Sequence, residues 1–478
     1  MSRMGTERRP VCRPGALLLS CCLTVVVLGA EQARADINPW VATNVYDPRK
    51  WDTAGPYAAT PWLHPTTRPD EGWGIFAKGA LDDGSWRDLR AASGTWGGFG
   101  EAMQRHGIDW ALAYFGQLAS NPVGGVRQGT SYKQDIAAAL FLDLQRLAGW
   151  ERSYFTSSFD YKPPAQSLST DFIGNQFPVQ LGNYDDHGAA RLVHLAFGQQ
   201  LLDNDAELVV GRLITGEDFA ALRLACTSLN QAICSNPINA AQNISFPTYP
   251  NAVWGGRLKV QPEDTWYAQA GAYLVYEGFG DGDRHGVEFS APAGSGALTV
   301  AEVGYRVGGY RVWTGLPGIY KLGGYHDGQE VTDVESQQAV SGTWGLYALA
   351  EQMVYSEDDA YLQGLSVFAA LSYAPPERNP IELMIAGGLS YQGLIPGRDQ
   401  DGLAFVFSYG QYGADLRRGE RARGEPTQDH EVLLELNYRI TLAPWLFVQP
   451  DLQGVLRPSG YGDVDDAFVI GFGIGVVL

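Results

Sequence analysis

Along most of the chain apolar residues recur at every second position, the period of a strand and not of a helix. Val432, Leu434, Leu436, Tyr438 and Ile440 share one face, and Leu433, Glu435, Asn437 and Arg439 share the other. The last segment sets Phe468, Ile470, Phe472, Ile474, Val476 and Leu478 against Val469, Gly471, Gly473, Gly475 and Val477. Leu403, Phe405, Phe407 and Tyr409 alternate with Ala404, Val406 and Ser408. Likewise Ile381, Leu383, Ile385, Leu389 and Tyr391 alternate with Glu382, Met384, Ala386 and Ser390. Such strands suit a soluble sandwich with its apolar faces buried. They suit equally a membrane barrel with apolar faces in lipid and a polar lumen.

Loop lengths separate the two. From residue 108 the pattern predicts sixteen strands: 108–118, 131–144, 151–160, 189–202, 206–214, 252–261, 265–277 and 298–308 in the first half. The second half adds 317–327, 342–355, 361–373, 379–392, 402–411, 430–441, 444–456 and 466–478. Links after even-numbered strands are mostly tight (146–150, 203–205, 262–264, 356–360, 442–443). Links after odd-numbered strands are mostly long (161–188, 215–251, 278–297, 412–429), with 374–378 a short exception. A sandwich has no reason to sort its loops this way. The expected class is all-β: a transmembrane antiparallel β-barrel of about 16 strands with short periplasmic turns and long extracellular loops. Trp150, Trp266, Tyr267, Trp313, Tyr355, Tyr391 and Trp445, near strand ends, would supply the interfacial girdles.

The N-terminus sets the compartment. Arg3, Arg8, Arg9 and Arg13 precede an apolar run from Gly15 to Ala30, and Ala33-Arg34-Ala35 offers a small-x-small cleavage site. This is the layout of a secretory signal, and the run is short of the ~20 residues of a spanning helix. Three units are expected: a signal peptide at 1–35, a Pro- and Trp-rich periplasmic lead-in at 36–93, and the barrel at 94–478. Cleavage leaves 29 basic and 51 acidic residues, a formal charge of -22. Such acidity argues against a nucleic-acid partner, which needs cations to track phosphates. Of five cysteines only Cys226 and Cys234 survive cleavage. In an exported chain they read as a disulfide inside the 215–251 loop, with a loop-closure contribution of roughly 2–3 kcal/mol. No His or further Cys lies nearby, so a zinc site has no support.

Catalytic patterns are scarce. No G-x-S-x-G elbow occurs, and His187, His194, His285 and His326 make no i, i+4 pair. Gly471-Phe472-Gly473-Ile474-Gly475 lies in a strand and opens no helix, so its glycines are expected to spare room on a lumen face. Asp281 and Asp283 lack the bidentate Glu of a calcium loop. Neither an enzyme, nor a cofactor, nor a metal is expected.

Several short runs resemble the carbohydrate-selective porin (OprB) family. They begin with Gly94-Thr95-Trp96-Gly97-Gly98 and Gly107, then Asn121-Pro122-Val123-Gly124-Gly125 with Gln128-Gly129, and Leu168-Ser169-Thr170-Asp171 with Gly174-Asn175. Next come Val210-Gly211-Arg212-Leu213, Arg257-Leu258-Lys259 with Gln261-Pro262, and Gly323-Gly324-Tyr325. The most specific are Ala374-Pro375-Pro376-Glu377-Arg378-Asn379-Pro380 and Gly393-Leu394-Ile395-Pro396-Gly397-Arg398; Gln449-Pro450-Asp451-Leu452-Gln453 completes the set. In family order they span roughly four-fifths of the chain. Residues 282–297 show no match, and Leu478 stands where outer-membrane barrels usually end in an aromatic. The resemblance implies a sixteen-stranded barrel in the outer membrane of a Gram-negative bacterium, passing sugars by passive diffusion and narrowed by inward-folded loops.

Parity then nominates the lumen. Arg257, Lys259, Gln261 and Gln269 lie opposite Leu258, Val260 and Ala268, and Lys321, Glu435, Arg439, Gln449, Asp451 and Gln453 also point inward. The candidate sugar-facing set is Arg257, Lys259, Gln269, Lys321, Glu435, Arg439 and Asp451, whose alternative role is structural pairing within the wall. Parity around Glu351 and Gln352 is ambiguous. The expected partners are mono- or disaccharides in transit, with outer-membrane lipid and lipopolysaccharide around a monomer or homotrimer. A general or anion-preferring porin, and a non-transporting enzyme or adhesin barrel, are the competing readings. Mature protein is predicted to begin at Asp36 and to fractionate with the outer membrane; N-terminal sequencing of that fraction checks it, and an intact Met1 contradicts it.

Overall fold

The computed structural model describes residues 99, 102–103 and 106–477, apart from 182–187, 203–204, 223, 235, 264, 293, 309–314, 358–362 and 444. The signal, the lead-in, Trp313, His187 and Leu478 lie outside the described residues. All sixteen expected strands form. They are β1 (Ile108–Val123), β2 (Thr130–Asp143), β3 (Ser153–Lys162), β4 (Ala189–Leu201), β5 (Ala206–Leu213), β6 (Val253–Val260), β7 (Trp266–Val275) and β8 (Gly296–Val307). The second half runs β9 (Gly318–Thr332), β10 (Ala339–Ser356), β11 (Gly364–Tyr373), β12 (Ile381–Gln392), β13 (Gly402–Tyr412), β14 (His430–Ala443), β15 (Leu446–Leu456) and β16 (Ala467–Val477). Each strand pairs antiparallel with its neighbours in sequence, and β1 pairs with β16, so the sheet closes on itself and no edge is left.

The polarity of this sheet is inverted relative to a soluble protein. On β6 Leu258 is 44% exposed and Arg257 3%; on β9 Leu322 is 60% exposed and Lys321 8%. On β14 and β16 Leu436, Phe468, Ile470 and Phe472 face out, while Glu435, Asn437 and Arg439 are buried. An apolar outer wall around a charged interior is stable only where the outside is hydrocarbon. Closure pairs every described strand on both sides, so the ladders answer most of the wall's backbone groups, as lipid demands.

The links sort as expected. One end carries 202–205, 261–265 and the β14–β15 connection, together with the start of β1 and the end of β16. The β2–β3 link is tightened by a helix, Leu144–Ala148, whose first amides are capped by Asp143. Gly107, at φ +86°, accepts from the Asp143 amide at 2.8 Å and fixes where β1 starts. The opposite end carries 163–188, 214–252, 276–295 and 413–429.

Two expectations are corrected. Trp150, Trp266 and Tyr355 do face out, but Tyr267 is buried and donates through its hydroxyl to Glu302 at 2.7 Å. Adjacent strand residues point to opposite faces, so Trp266 and Tyr267 cannot both belong to a girdle. The glycines of β16 leave no open space: a Cβ on Gly471 would strike Asp451, on Gly473 would crowd Leu229, and on Gly475 would strike the Phe447 ring. They make room for packed neighbours.

The outer band yields a test. Leu322→Arg places a cation on the lipid face and is expected to cost about 2–4 kcal/mol if it lies at mid-depth. Urea unfolding of barrel refolded in lipid vesicles measures it; an unchanged midpoint means that this face is not in lipid.

Candidate functional site

Two of the long links fold back into the barrel. The larger, 214–252, is rich in small and apolar residues, and Phe219, Leu222, Leu224, Leu229, Ile233 and Ile238 are all buried. The smaller, 163–188, brings a single π-helical turn, Leu168–Ile173, followed by buried Phe177, Val179 and Leu181. The segments interlock through their main chains: the Leu181 amide donates to the Leu229 carbonyl at 3.1 Å, and the Gln231 amide to the Pro178 carbonyl at 2.9 Å. Cys226 and Cys234 are joined in a disulfide, Cα atoms 4.3 Å apart, which closes the turn carrying Leu229 and Asn230.

Segments with so little regular structure carry backbone amides that need acceptors once water is removed. Four glutamates on the wall supply them. Glu302 on β8 accepts from the Ala220 amide at 3.0 Å, and Glu351 on β10 from the Leu224 amide at 2.6 Å. Glu435 on β14 accepts from the Leu229 and Asn230 amides at 2.7 and 2.9 Å and from the Asn230 side chain at 2.8 Å. Glu431, four residues nearer the long-loop end of the same strand, accepts from Phe177 and Gln176 at 2.7 and 2.8 Å and also from the Ser459 amide. Gln117 on β1 engages both segments, accepting from the Leu181 amide at 2.9 Å and donating to the Leu229 carbonyl at 3.1 Å.

Four of the seven predicted residues, Arg257, Gln269, Lys321 and Glu435, fall into this scheme. Arg257 bridges Glu207 of β5 and Asp218 of the inward segment, both at 2.8 Å. Gln269 donates to the Asp218 carbonyl at 2.6 Å and to Glu302 at 3.0 Å. Lys321 donates to the Ala221 carbonyl at 2.7 Å. The Arg439 guanidinium lies 3.6 Å over the Phe447 ring, and Asp451 accepts from Gln453 at 2.6 Å. Gln449 and Gln453 donate to the carbonyls of Thr227 and Val179, each at 2.8 Å. Lys259 is half-buried, its ammonium 4.6 Å over the Tyr267 ring. Parity thus brings Arg257, Gln269 and Lys321 onto one stretch of the inward segment and Glu435 onto another.

Glu207, Glu302, Glu351 and Glu431 escaped the sequence reading. Glu302 obeys strict alternation in β8 and was legible as an inward acid, and Glu207 alternates with outward Leu208 and Val210 in the middle of β5, whose ends break the pattern. Glu351 was obscured by a shift of register between Met353 and Tyr355 in the β10–β11 pairing, which breaks parity at that end of the strand. A second shift, between Ile381 and Leu383, turns Ile381 inward; its amide and carbonyl bond Asn243 of the inward segment at 3.0 and 2.8 Å.

At the long-loop end, Arg284 donates to Glu288 at 2.7 Å and holds that carboxyl below the usual range. Among the described residues no group of three or more His, Cys, Asp or Glu is placed to hold a metal.

A closed sixteen-stranded wall, apolar outside, with long links tucked into a polar interior, defines an outer-membrane porin. Residues 127–478 match the model of the carbohydrate-selective porin, OprB family, and the chain belongs to that family. It is 27% identical over 446 residues to Porin B of Pseudomonas aeruginosa, covering 84% of this chain and 96% of that protein. Identity to the putative porin QuiX of Acinetobacter baylyi is 22% over 409 residues, 80% of this chain and 92% of the relative. A high-pH structure of Pseudomonas putida OprB superposes with a TM-score of 0.76 at 25% identity, covering 82% of this chain and 99% of that one. The protein is therefore a sugar porin of the Gram-negative outer membrane.

Removing the Glu435 carboxylate (Glu435→Ala) is expected to weaken docking of the disulfide-closed turn by on the order of 2–4 kcal/mol, because buried donors lose a charged acceptor. The expected reading is a larger single-channel conductance with the heat-modifiable gel shift retained. Unchanged conductance means that this turn does not narrow the passage.

Proposed function

We propose that mono- and disaccharides cross by passive diffusion through the water left between the inward segments and the wall, and that the candidate residues divide the labour. Arg257, Gln269, Lys321 and Glu435 set the shape of the passage through the inward segments, and Arg439 and Asp451 complete the charged wall. Lys259 meets the solute. The observation that carries this division is burial: Lys259 alone of the seven keeps substantial water contact. An ammonium in that position donates to sugar hydroxyls in place of hydration water. Outer-membrane lipid and lipopolysaccharide surround the apolar band. Because each barrel closes on itself, a monomer and a homotrimer serve the reading equally well. The barrel proper is taken to occupy 94–478, after a lead-in at 36–93. No step here makes or breaks a covalent bond, so the polypeptide acts as a channel and not an enzyme.

Liposome swelling with a panel of mono- and disaccharides tests the reading. Wild-type protein is expected to pass sugars, with rates that fall from mono- to disaccharide. In planar bilayers Lys259→Ala is expected to weaken sugar block of the ion current several-fold, while Arg257→Ala changes conductance by loosening the segment that it holds. Absence of sugar flux sinks the reading. Block that is unchanged in Lys259→Ala removes that residue from solute contact and favours a passage governed by its field alone.

A further inference from the structure

A file of three side chains, outside the anchoring scheme, runs from the wall to the water. Ser158 lies on β3, His194 on β4 and Glu217 on the short helix Thr215–Asp218 of the larger inward segment. The Ser158 hydroxyl lies 2.8 Å from His194 Nδ1, and His194 Nε2 lies 3.0 Å from a Glu217 oxygen. The same hydroxyl accepts from the His194 amide at 3.2 Å. The register of the β3–β4 pairing shifts between Ser157 and Phe159, and this irregularity frees the His194 amide for that bond. Exposure climbs along the file: Ser158 is 2% exposed, the His194 side chain 15% and the Glu217 side chain 31%. The order of groups is that of a nucleophile relay, but the hydroxyl is the sealed end. What is offered to solute is a carboxylate.

The other charges around this imidazole have partners. Asp218, on the same helix, is held by Arg257 of β6, which also pairs with Glu207 of β5. Arg212 of β5 donates to the Ala252 carbonyl, and the Lys259 ammonium of β6 sits over Tyr267. Glu217 has only His194 as a charged partner among the described ion pairs.

We infer that Glu217 is the solute-facing charge that sets the ion preference of the passage, with His194, fixed by Ser158, as its positioning residue. The inference deepens the porin reading and rests on it. With His194 protonated the pair is neutral; with His194 neutral it carries one negative charge. An ordinary imidazole loses its proton near pH ~6.5. Cation preference therefore rises as pH rises through the imidazole range. A unit charge met at roughly 7 Å through water changes the population of a monovalent ion about two- to threefold.

The test uses the mature full chain in planar bilayers, reading reversal potential in a KCl gradient from pH 5 to pH 8, with the heat-modifiable gel shift as the check on folding. Wild type is expected to gain cation preference about two- to threefold over that range. Glu217→Gln removes one negative charge at every pH, so it is expected to lie about two- to threefold below wild type in cation preference and to reach at pH 8 only the wild-type value of pH 5. His194→Gln, which cannot take up a proton and leaves Glu217 charged, is expected to lose the rise and to sit at the high-pH value. A rise that persists in His194→Gln overturns the inference, as do a Glu217→Gln variant that equals wild type at pH 8 and a wild-type profile that is flat. Glucose-driven liposome swelling by the same wild-type protein is read separately: its absence sinks the porin reading and leaves the ion measurement to stand or fall alone.

Discussion

Backbone amides carried into the barrel without a helix or sheet to answer them are the constraint on which the rest of this structure depends. The described parts of 214–252 and of 163–181 bring their main chains inside the wall, where part of their surface is shut off from water. An unanswered buried amide costs about 1–3 kcal/mol. The wall answers with Glu302, Glu351, Glu435 and Glu431, each placed by its strand to accept from one or two of these donors. Because a carboxylate is a charged acceptor, each bond is stronger than an amide-carbonyl pair and tolerates less misplacement. The width of a passage built in this way is set by the register of the strands. A wall carboxylate moves only if its strand slips, and a closed sheet with an apolar outer face does not slip without turning charges into lipid.

The same arrangement explains why so acidic a chain buries acids. In a soluble core an ionised glutamate is a liability unless paired. Here the interior is the polar side, and acids on the wall meet donors from loop amides, tyrosine hydroxyls and guanidinium groups. Glu302 receives an amide, two phenols and a carboxamide; Glu207 receives Arg257, Tyr154 and Gln200. Cations on the wall do the complementary task, with Lys321 and Arg257 gripping a carbonyl and a carboxylate of the larger segment. Opposite charges thus hold the two polarities of one loop main chain. The disulfide between Cys226 and Cys234 shortens the stretch that Glu435 has to hold. The larger inward segment is thereby closed at its tip by a covalent bond and held along its length by side chains of the wall.

The sequence alone determined the strands, their order, the closed antiparallel barrel and the sorting of links into a short and a long end. It did so because a sheet wetted on one face and oily on the other writes its geometry into a period of two. It also determined the family, through runs such as Ala374–Pro380, and the side of the wall on which Arg257, Lys259, Lys321 and Glu435 stand. Tertiary structure decided what those side chains touch. Parity says in or out, but whether an inward Arg257 lines water or grips Asp218 depends on where a loop some forty residues away in sequence comes to rest. Tyr267 and Glu351 mark the limit from two directions. The first was misplaced because aromatic identity outweighed alternation, and the second was unreadable because a register shift breaks alternation locally. The Ser158–His194–Glu217 file lay wholly beyond reach, since three chain segments meet there only after the barrel has closed and the loop has turned inward. Period-two patterning is a local property and survives in the linear chain; contacts between wall and loop are not, and no spacing encodes them.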